Sequence, residues 1–142
     1  MKIAIINGPN LNLQGIREPE IYGTTTFPEL VDELRQTHPG TEILYFQSSI
    51  EGELVDIIQQ QGFAADGLIV NLGAYSHYSI ALRDAIAAIP VPCVEVHISN
   101  IFAREEYRHH SLISGVCRGV IVGLGLKGYA LALDYLAKQK AF

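Results

Sequence analysis

The sequence has few basic residues, few cysteines and no long apolar run. Its ten lysines and arginines are scattered and the formal net charge is −5, so the chain lacks the basic surface with which proteins bind nucleic acids. The cysteines, Cys93 and Cys117, lie in apolar stretches without CxxC spacing, which predicts free thiols in a reducing compartment. No stretch approaches the roughly 18 apolar residues of a membrane span. The apolar run after Lys2 stops at Asn7, too early for a signal peptide, and we expect a cytoplasmic protein.

Lysine is also scarce where imine chemistry would need it. The four lysines are Lys2, Lys127, Lys138 and Lys140. Only Lys127 falls near the predicted carboxyl end of a strand, and there it begins a helix. A mechanism through a lysine Schiff base is therefore disfavoured.

The composition predicts one ordinary globular domain. The chain has 142 residues, of which 49% are hydrophobic and 18% charged, as is usual for a single domain. We expect residues 1–142 to form one unit that buries roughly 70% of its unfolded surface without a disulfide or a metal.

Five apolar runs predict β-strands, and amphipathic stretches between them predict helices. Thr26 with Glu29, and Ser48 with Glu51, form capping-box patterns that predict two helix starts, and Gly62 is predicted to end the second helix. Alternating strands and helices indicate a parallel sheet with helices on both faces, for which the flavodoxin-like strand order 2-1-3-4-5 is the leading choice. The strands are predicted over residues 2–6, 42–46, 67–71, 90–97 and 116–123, and the last two helices over 79–88 and 126–138.

A long segment, residues 7–23, follows the first strand and is predicted to contain no helix. Three glycines and two prolines interrupt it. Loops of this length in a compact domain are uncommon and are usually functional or disordered. Leu11, Leu13, Ile16 and Ile21 supply apolar anchors, so we interpret it as an ordered active-site loop.

The predicted topology places a ligand crevice at one edge of the sheet. Ligands of such sheets bind beyond the carboxyl ends of the strands, where the strand order reverses. In the order 2-1-3-4-5 this point lies between the first and third strands. The opening loop and Asn71 therefore flank one pocket, and His97, at the end of the fourth strand, borders it.

Two residue pairs are candidates for proton transfer. Strand alternation puts Glu95 and His97 on one face, where a carboxylate orients an imidazole and favours its protonated form, as suits a general acid. Arg17 lies near Tyr22 in the opening loop, and a guanidinium favours the phenolate that a tyrosine base requires. The structural alternatives are a strand-end histidine with its hydrogen bonds satisfied and a loop tyrosine packed by its ring.

Other motifs leave more than one interpretation open. Asn71, Tyr75 and His77 could bind a polyhydroxylated ligand or cap a helix, and residues 104–110 are a charge run that we expect to be solvated, without metal-binding spacing. Residues 123–128 form GxGxxG, a pattern of dinucleotide sites. Because no further strand follows it, we interpret it as a tight strand-to-helix turn.

Three stretches together resemble the type II 3-dehydroquinases. They are NGPNLNLQGIREPEIYG at 7–23, NLGAYSH at 71–77 followed by ALRDA at 81–85, and EVHISNIFAREEYRHHS at 95–111. The resemblance extends to the closing GYALAL. It implies a flavodoxin-like fold and the dehydration of 3-dehydroquinate to 3-dehydroshikimate by anti elimination through an enolate, without metal or organic cofactor. That step belongs to the shikimate pathway of aromatic amino acid biosynthesis, or to quinate breakdown.

The resemblance also implies roles for individual residues. Tyr22 would remove the proton beside the ketone, and Arg17 would favour its phenolate. His97, supported by Glu95, would protonate the departing hydroxyl, and Asn12 would hold the water that stabilises the enolate oxygen. The implied substrate-binding residues are Asn71, His77, Ile98, Ser99 and Arg108, with Asp84 reaching the site of a neighbouring subunit.

Assembly is implied by the resemblance alone. These enzymes form trimers that stack into dodecamers, so we expect a homododecamer. A different class of function stays open, namely a non-catalytic flavodoxin-like module that binds a flavin or a nucleotide. A catalytically inactive assembly protein is the third interpretation.

Overall fold

A five-stranded parallel sheet forms the centre of the molecule. The computed structural model describes residues 1–16 and 19–138, and for Ile21 and Tyr22 only the backbone. The strand order is β2-β1-β3-β4-β5, which confirms the order predicted from the sequence. The strands are β1 (Lys2–Asn7), β2 (Glu42–Gln47), β3 (Gly67–Asn71), β4 (Cys93–His97) and β5 (Gly119–Val122).

Within the described ranges, four helices cover the sheet, two on each face. α2 (Phe27–Thr37) and α5 (Lys127–Lys138) pack on one face, which we call the α2/α5 face. α3 (Glu51–Ala64) and α4 (Ile80–Ala87) pack on the other, the α3/α4 face. A short helix, α1 (Pro19–Tyr22), lies in the opening loop. Among the described residues, no helix is long and apolar enough to cross a membrane.

The two-residue period of the strands decides which face each side chain joins. In β4, Val94 and Val96 pack in the core of the α2/α5 face, whereas Cys93 packs in the core of the α3/α4 face. Glu95 and His97 therefore share the α3/α4 face, as the alternation predicted.

One of the two predicted capping boxes forms. The Thr26 hydroxyl accepts from the Glu29 N–H, and the Glu29 carboxylate accepts from the Thr26 N–H at 2.8 Å, so α2 begins where predicted. The capping box predicted for α3 does not form, so that prediction was wrong. The Ser48 hydroxyl instead accepts from the Ile50 N–H at 3.0 Å and donates to Glu53 at 2.5 Å, which leaves Ile50 as an N-cap without a side-chain bond.

Gly62 does not end α3, which continues to Ala64. A Cβ atom at Gly62 would lie 2.2 Å from Cγ2 of Ile89, so the glycine permits α3 to pack against the segment that follows α4. The sequence alone does not distinguish a glycine required by close packing from a glycine that ends a helix. The prediction of a helix end at this glycine was wrong for that reason.

Other boundaries also differ from the predictions. β4 begins at Cys93 rather than residue 90, and β5 spans only Gly119–Val122, after a short 3₁₀ helix at Ser114–Val116. The opening loop was predicted to contain no helix, but it contains a 3₁₀ helix at Leu11–Leu13 as well as α1. The shorter strands keep only the residues that pair with a neighbouring strand.

The capping box of α2 yields a stability prediction. Thr26→Ala removes the hydroxyl that accepts from Glu29, and we expect it to lower the free energy of unfolding by about 1 kcal/mol. Urea denaturation at pH 7 measures this change.

Thr24→Ala is the matched control, because Thr24 is exposed and precedes the helix. We expect it to change the free energy of unfolding by less than about 0.5 kcal/mol. Equal losses in the two variants would show that the cap contributes nothing to stability.

Candidate active site

A pocket lies at the carboxyl edge of the sheet, where the segments after β1, β3 and β4 meet. This is the position that the strand order predicted. Six of the residues proposed from the sequence line the pocket together: Asn71, His77, His97, Ile98, Ser99 and Arg108.

Glu95 and His97 form a buried, hydrogen-bonded pair at the end of β4. The His97 Nε2 lies 2.6 Å from Oε1 of Glu95, and the Glu95 side chain is fully buried. Because a carboxylate accepts from a ring N–H, this bond sets the orientation of the imidazole. Among the described residues, Nδ1 of His97 has no hydrogen-bond partner, so it is the nitrogen available to a ligand.

Two serines complete the hydrogen bonds of the Glu95 carboxylate. Ser111 donates to Oε1 at 2.6 Å, and Ser114 donates to Oε2. Burial by itself would raise the pKa of Glu95, but the hydrogen bond and charge of His97, and then the two serine hydroxyls, lower it below its ordinary value of 4.5. The carboxylate is therefore kept in its charged form inside the protein.

Sequence reasoning missed both serines. They lie 16 and 19 residues from Glu95 along the chain, and no local period connects such positions. Ser111 is the last residue of a stretch that carries the family resemblance, which was the only signal available. Ser114 had none.

His77 faces His97 across the pocket in a near-parallel arrangement, with ring centroids 6.0 Å apart. Its Nδ1 lies 2.8 Å from the carbonyl oxygen of His110 and must donate to it, since a carbonyl only accepts. Burial is the main reason that the pKa of His77 lies below its ordinary value of 6.5. The charges of His97 and Arg108 lower the pKa further, against the His110 carbonyl. Neutral His77 thus offers Nε2 as an acceptor for a ligand hydroxyl.

The segment after β4 gives the pocket a cationic wall. Arg104 donates to the Ser99 hydroxyl at 3.4 Å, and Arg108 donates to the Glu105 carboxylate at 2.8 Å. Both arginines line the pocket. Guanidinium groups suit carboxylate ligands, so this wall can bind an anion. Arg104 was not among the residues proposed from the sequence, where it belonged to a charge run interpreted as solvated.

The GxGxxG stretch has a structural explanation next to this wall. Gly123 and Gly125 have positive φ values of 81° and 62°, which glycine adopts without strain. The Gly125 N–H donates to the Ile98 carbonyl at 3.0 Å and so holds the end of the wall. The glycines thus form the tight strand-to-helix turn that was predicted.

The opening loop provides the opposite wall, though not every residue proposed there. Leu11 and Leu13 line the pocket, whereas Asn12 between them is exposed and does not line it. Arg17 lies outside the described residues. Tyr22 ends α1, and its side chain lies outside the described part of the structure.

Asp84 is not brought to the pocket of its own chain. It lies on α4, where its exposed carboxylate is 2.9 Å from Nη1 of Arg83. In the ranges 1–16 and 19–138, no group of three His, Cys, Asp or Glu side chains is arranged to hold a metal ion.

Together these side chains can perform a defined chemistry. The cationic wall and the neutral histidine can hold a small hydroxylated anion, and the His97–Glu95 unit can transfer a proton to or from it.

Comparison with known proteins gives matches over nearly the whole chain. A family model described as class II dehydroquinase matches residues 1–137. The 3-dehydroquinate dehydratase of Carboxydothermus hydrogenoformans is 50% identical over 145 residues, covering 98% of this chain and 94% of that protein. The 3-dehydroquinate dehydratase of Bacillus licheniformis is 53% identical over 135 residues, covering 94% of this chain and 93% of that protein.

A solved structure is similar to the same extent. The type II dehydroquinase from Butyrivibrio crossotus superposes with a TM-score of 0.92 at 48% identity, and the match covers 96% of this chain and 97% of that one.

The serine bond to Glu95 leads to a pH-dependent prediction. Ser114→Ala removes one donor from the buried carboxylate, and we expect a loss of about 1.5–3 kcal/mol in the free energy of unfolding at pH 7. The folded pKa of Glu95 lies below 4.5. The charged carboxylate therefore stabilises the folded state fully above pH 4.5, and this stabilisation is lost as the pH falls through the folded pKa. The deficit of the variant should therefore shrink as the pH falls below 4.5 and through the folded pKa of Glu95, as urea denaturation at several pH values would measure.

Ser76→Ala is the control for this comparison. Ser76 is also buried, but its hydroxyl has no hydrogen-bond partner among the described residues. We expect a smaller loss that does not change with pH. A deficit of Ser114→Ala that does not shrink at any pH below 4.5 at which the protein is still folded would contradict the account of the Glu95 charge.

Proposed function

The chain belongs to the class II dehydroquinase family, and on this basis we propose that it is a 3-dehydroquinate dehydratase, a carbon–oxygen lyase. It converts 3-dehydroquinate to 3-dehydroshikimate and water. The observation that carries the proposal is the buried Glu95–His97 pair at the pocket edge, in a chain about half identical to proteins of that name.

The pocket supports the chemistry of this reaction. A base removes the proton beside the ketone and an enolate forms. The enolate then expels the hydroxyl, which takes a proton and leaves as water. An acid aligned with the departing oxygen is needed for the second step, and His97 supplies it through Nδ1. Glu95 holds the imidazole ring in place by accepting the hydrogen bond from Nε2.

Tyr22 is the proposed base for the first step. A tyrosine has an ordinary pKa near 10, so it needs a neighbouring cation to act at neutral pH. Arg17 is that cation in our proposal and also stabilises the transition state. Asn12 positions the water that stabilises the enolate oxygen. These three assignments rest on the sequence motif of the opening loop.

The substrate carries a carboxylate and hydroxyl groups, and the pocket offers partners for both. The backbone of Ile98 and Ser99, with the Ser99 hydroxyl, binds the carboxylate at the cationic wall. Asn71, His77 and Arg108 bind the hydroxyls. The lowered pKa of His77 supports its role as a hydrogen-bond acceptor.

Assembly and cellular context belong to the same proposal. The chain forms a homododecamer of four trimers, and Asp84 contacts the substrate site of the adjacent subunit. Its exposed position, away from its own pocket, supports that role. The enzyme acts in the cytoplasm, in the shikimate pathway, as one domain and without a metal or organic cofactor.

The activity is testable in one assay. Incubation of the purified protein with 3-dehydroquinate should increase ultraviolet absorbance as the conjugated enone of the product forms. Tyr22→Phe and His97→Ala should each lower kcat by roughly 10²- to 10⁴-fold, since each removes an acid–base group.

Two matched variants separate chemistry from folding. Tyr78→Phe changes an exposed tyrosine and His110→Ala an exposed histidine, neither of which lines the pocket. Both should retain activity. Absence of enone formation by the folded wild-type protein would overturn the function, and a nucleotide-dependent melting shift or bound flavin would favour the binding module instead.

The assembly is tested by light scattering. We expect a particle of twelve 15.6-kDa chains, and Asp84→Ala should lower activity while the particle mass stays the same. A fully active monomer would contradict both the dodecamer and the role of Asp84.

A further inference from the structure

Three buried side chains form a hydrogen-bonded chain beneath the pocket. Asn71 Nδ2 donates to the Tyr129 hydroxyl at 3.0 Å, and that hydroxyl donates to Asn7 Oδ1 at 2.9 Å. Asn7 and Asn71 are register partners at the ends of β1 and β3. Tyr129 reaches them from the first turn of α5. Of the three, only Asn71 lines the pocket.

The direction of these bonds follows from donor and acceptor counting. The Gly73 N–H donates to Asn71 Oδ1 at 3.3 Å, so the oxygen of this amide faces Gly73 and its nitrogen faces Tyr129. An amide nitrogen only donates, so the Tyr129 oxygen accepts from it. The single hydroxyl proton of Tyr129 must then go to Asn7.

Tyr129 is well placed to hold a fixed orientation. Its side chain is fully buried, and its ring packs edge-to-face on Phe27 with centroids 5.2 Å apart. Burial raises the pKa of Tyr129, so the phenol stays protonated. It therefore cannot replace Tyr22 as the base, and it acts as one donor and one acceptor.

We infer that Tyr129 is a positioning residue, which fixes the direction in which the Asn71 amide faces the substrate. The inference rests on the proposed function. With one Nδ2 hydrogen engaged by Tyr129 and one Oδ1 lone pair engaged by Gly73, Asn71 retains one donor and one acceptor for a substrate hydroxyl. Without the phenol, the amide nitrogen loses its buried acceptor and the side chain can turn.

Tyr129→Phe tests this role because it removes only the hydroxyl. Loss of one such hydrogen bond changes a binding equilibrium constant roughly tenfold. A group that binds the ground state and the transition state equally well affects KM rather than kcat. We expect KM for 3-dehydroquinate to rise about tenfold and kcat to stay within about twofold. A variant that was merely less folded would lose kcat and keep its KM.

Asn71→Ala and the double variant show whether Tyr129 acts through Asn71. If it does, the double variant should have the same KM as Asn71→Ala alone. A double variant whose KM rises by the product of the two single effects would overturn the inference. A Tyr129→Phe enzyme with the KM of the wild type would also overturn it. An inactive wild-type protein would instead overturn the proposed function, and the inference with it.

Two further variants keep the test decisive. Leu34→Ala removes buried apolar volume from the same core without removing a hydrogen bond or the Phe27–Tyr129 contact, so it should lower the melting temperature and leave KM unchanged. Asn7→Ala removes the acceptor of the Tyr129 hydroxyl from outside the pocket. If Tyr129→Phe fails to fold, a raised KM in Asn7→Ala supports the inference, and an unchanged KM overturns it.

Discussion

Burial of the central strands on both faces is the constraint on which the site depends. Every residue of β3 and β4 is buried, and their polar residues, Asn71, Glu95 and His97, lie within the last three positions of each strand. A polar group in such a place is costly unless it is hydrogen-bonded, and a charge is more costly still. The polar residues near the ends of these strands therefore have dedicated partners, and those partners set their orientation.

The constraint produces two polar clusters, one on each face of the sheet. On the α3/α4 face, three donors surround the Glu95 carboxylate, and His97 is one of them. On the α2/α5 face, Tyr129 links the asparagines at the ends of β1 and β3. In our proposal, the first cluster orients His97 for proton transfer, and the second orients Asn71 for substrate binding. The pocket lies where the clusters meet, and Asn71 and His97 line it from the end of the sheet.

Much of the fold could be predicted because its signals are local. The capping box at Thr26 and the alternation that pairs Glu95 with His97 each involve residues within three positions of one another. The alternation of strands and helices indicated a parallel sheet, for which the observed strand order was the leading choice. Predictions failed where a contact outside the recognised local pattern decided the outcome. Gly62 is required by its contact with Ile89, in the segment after α4, and the Ser48 hydroxyl bonds to Glu53 rather than capping α3.

The sequence by itself determined the strands, the helices and the family motifs, because periodicity and motifs are written along the chain. The strand order 2-1-3-4-5 was the leading choice for such a chain, and the place of the pocket followed from that order. Only the tertiary structure decided which groups support the site. Ser114 reaches Glu95 over 19 residues and Tyr129 reaches Asn71 over 58. No pattern in the sequence marks such pairs, because their proximity results from the packing of α5 and the segment before β5 against the sheet. The segment around Arg17 and Tyr22 is the reverse case, in which the motif alone supports the assignment.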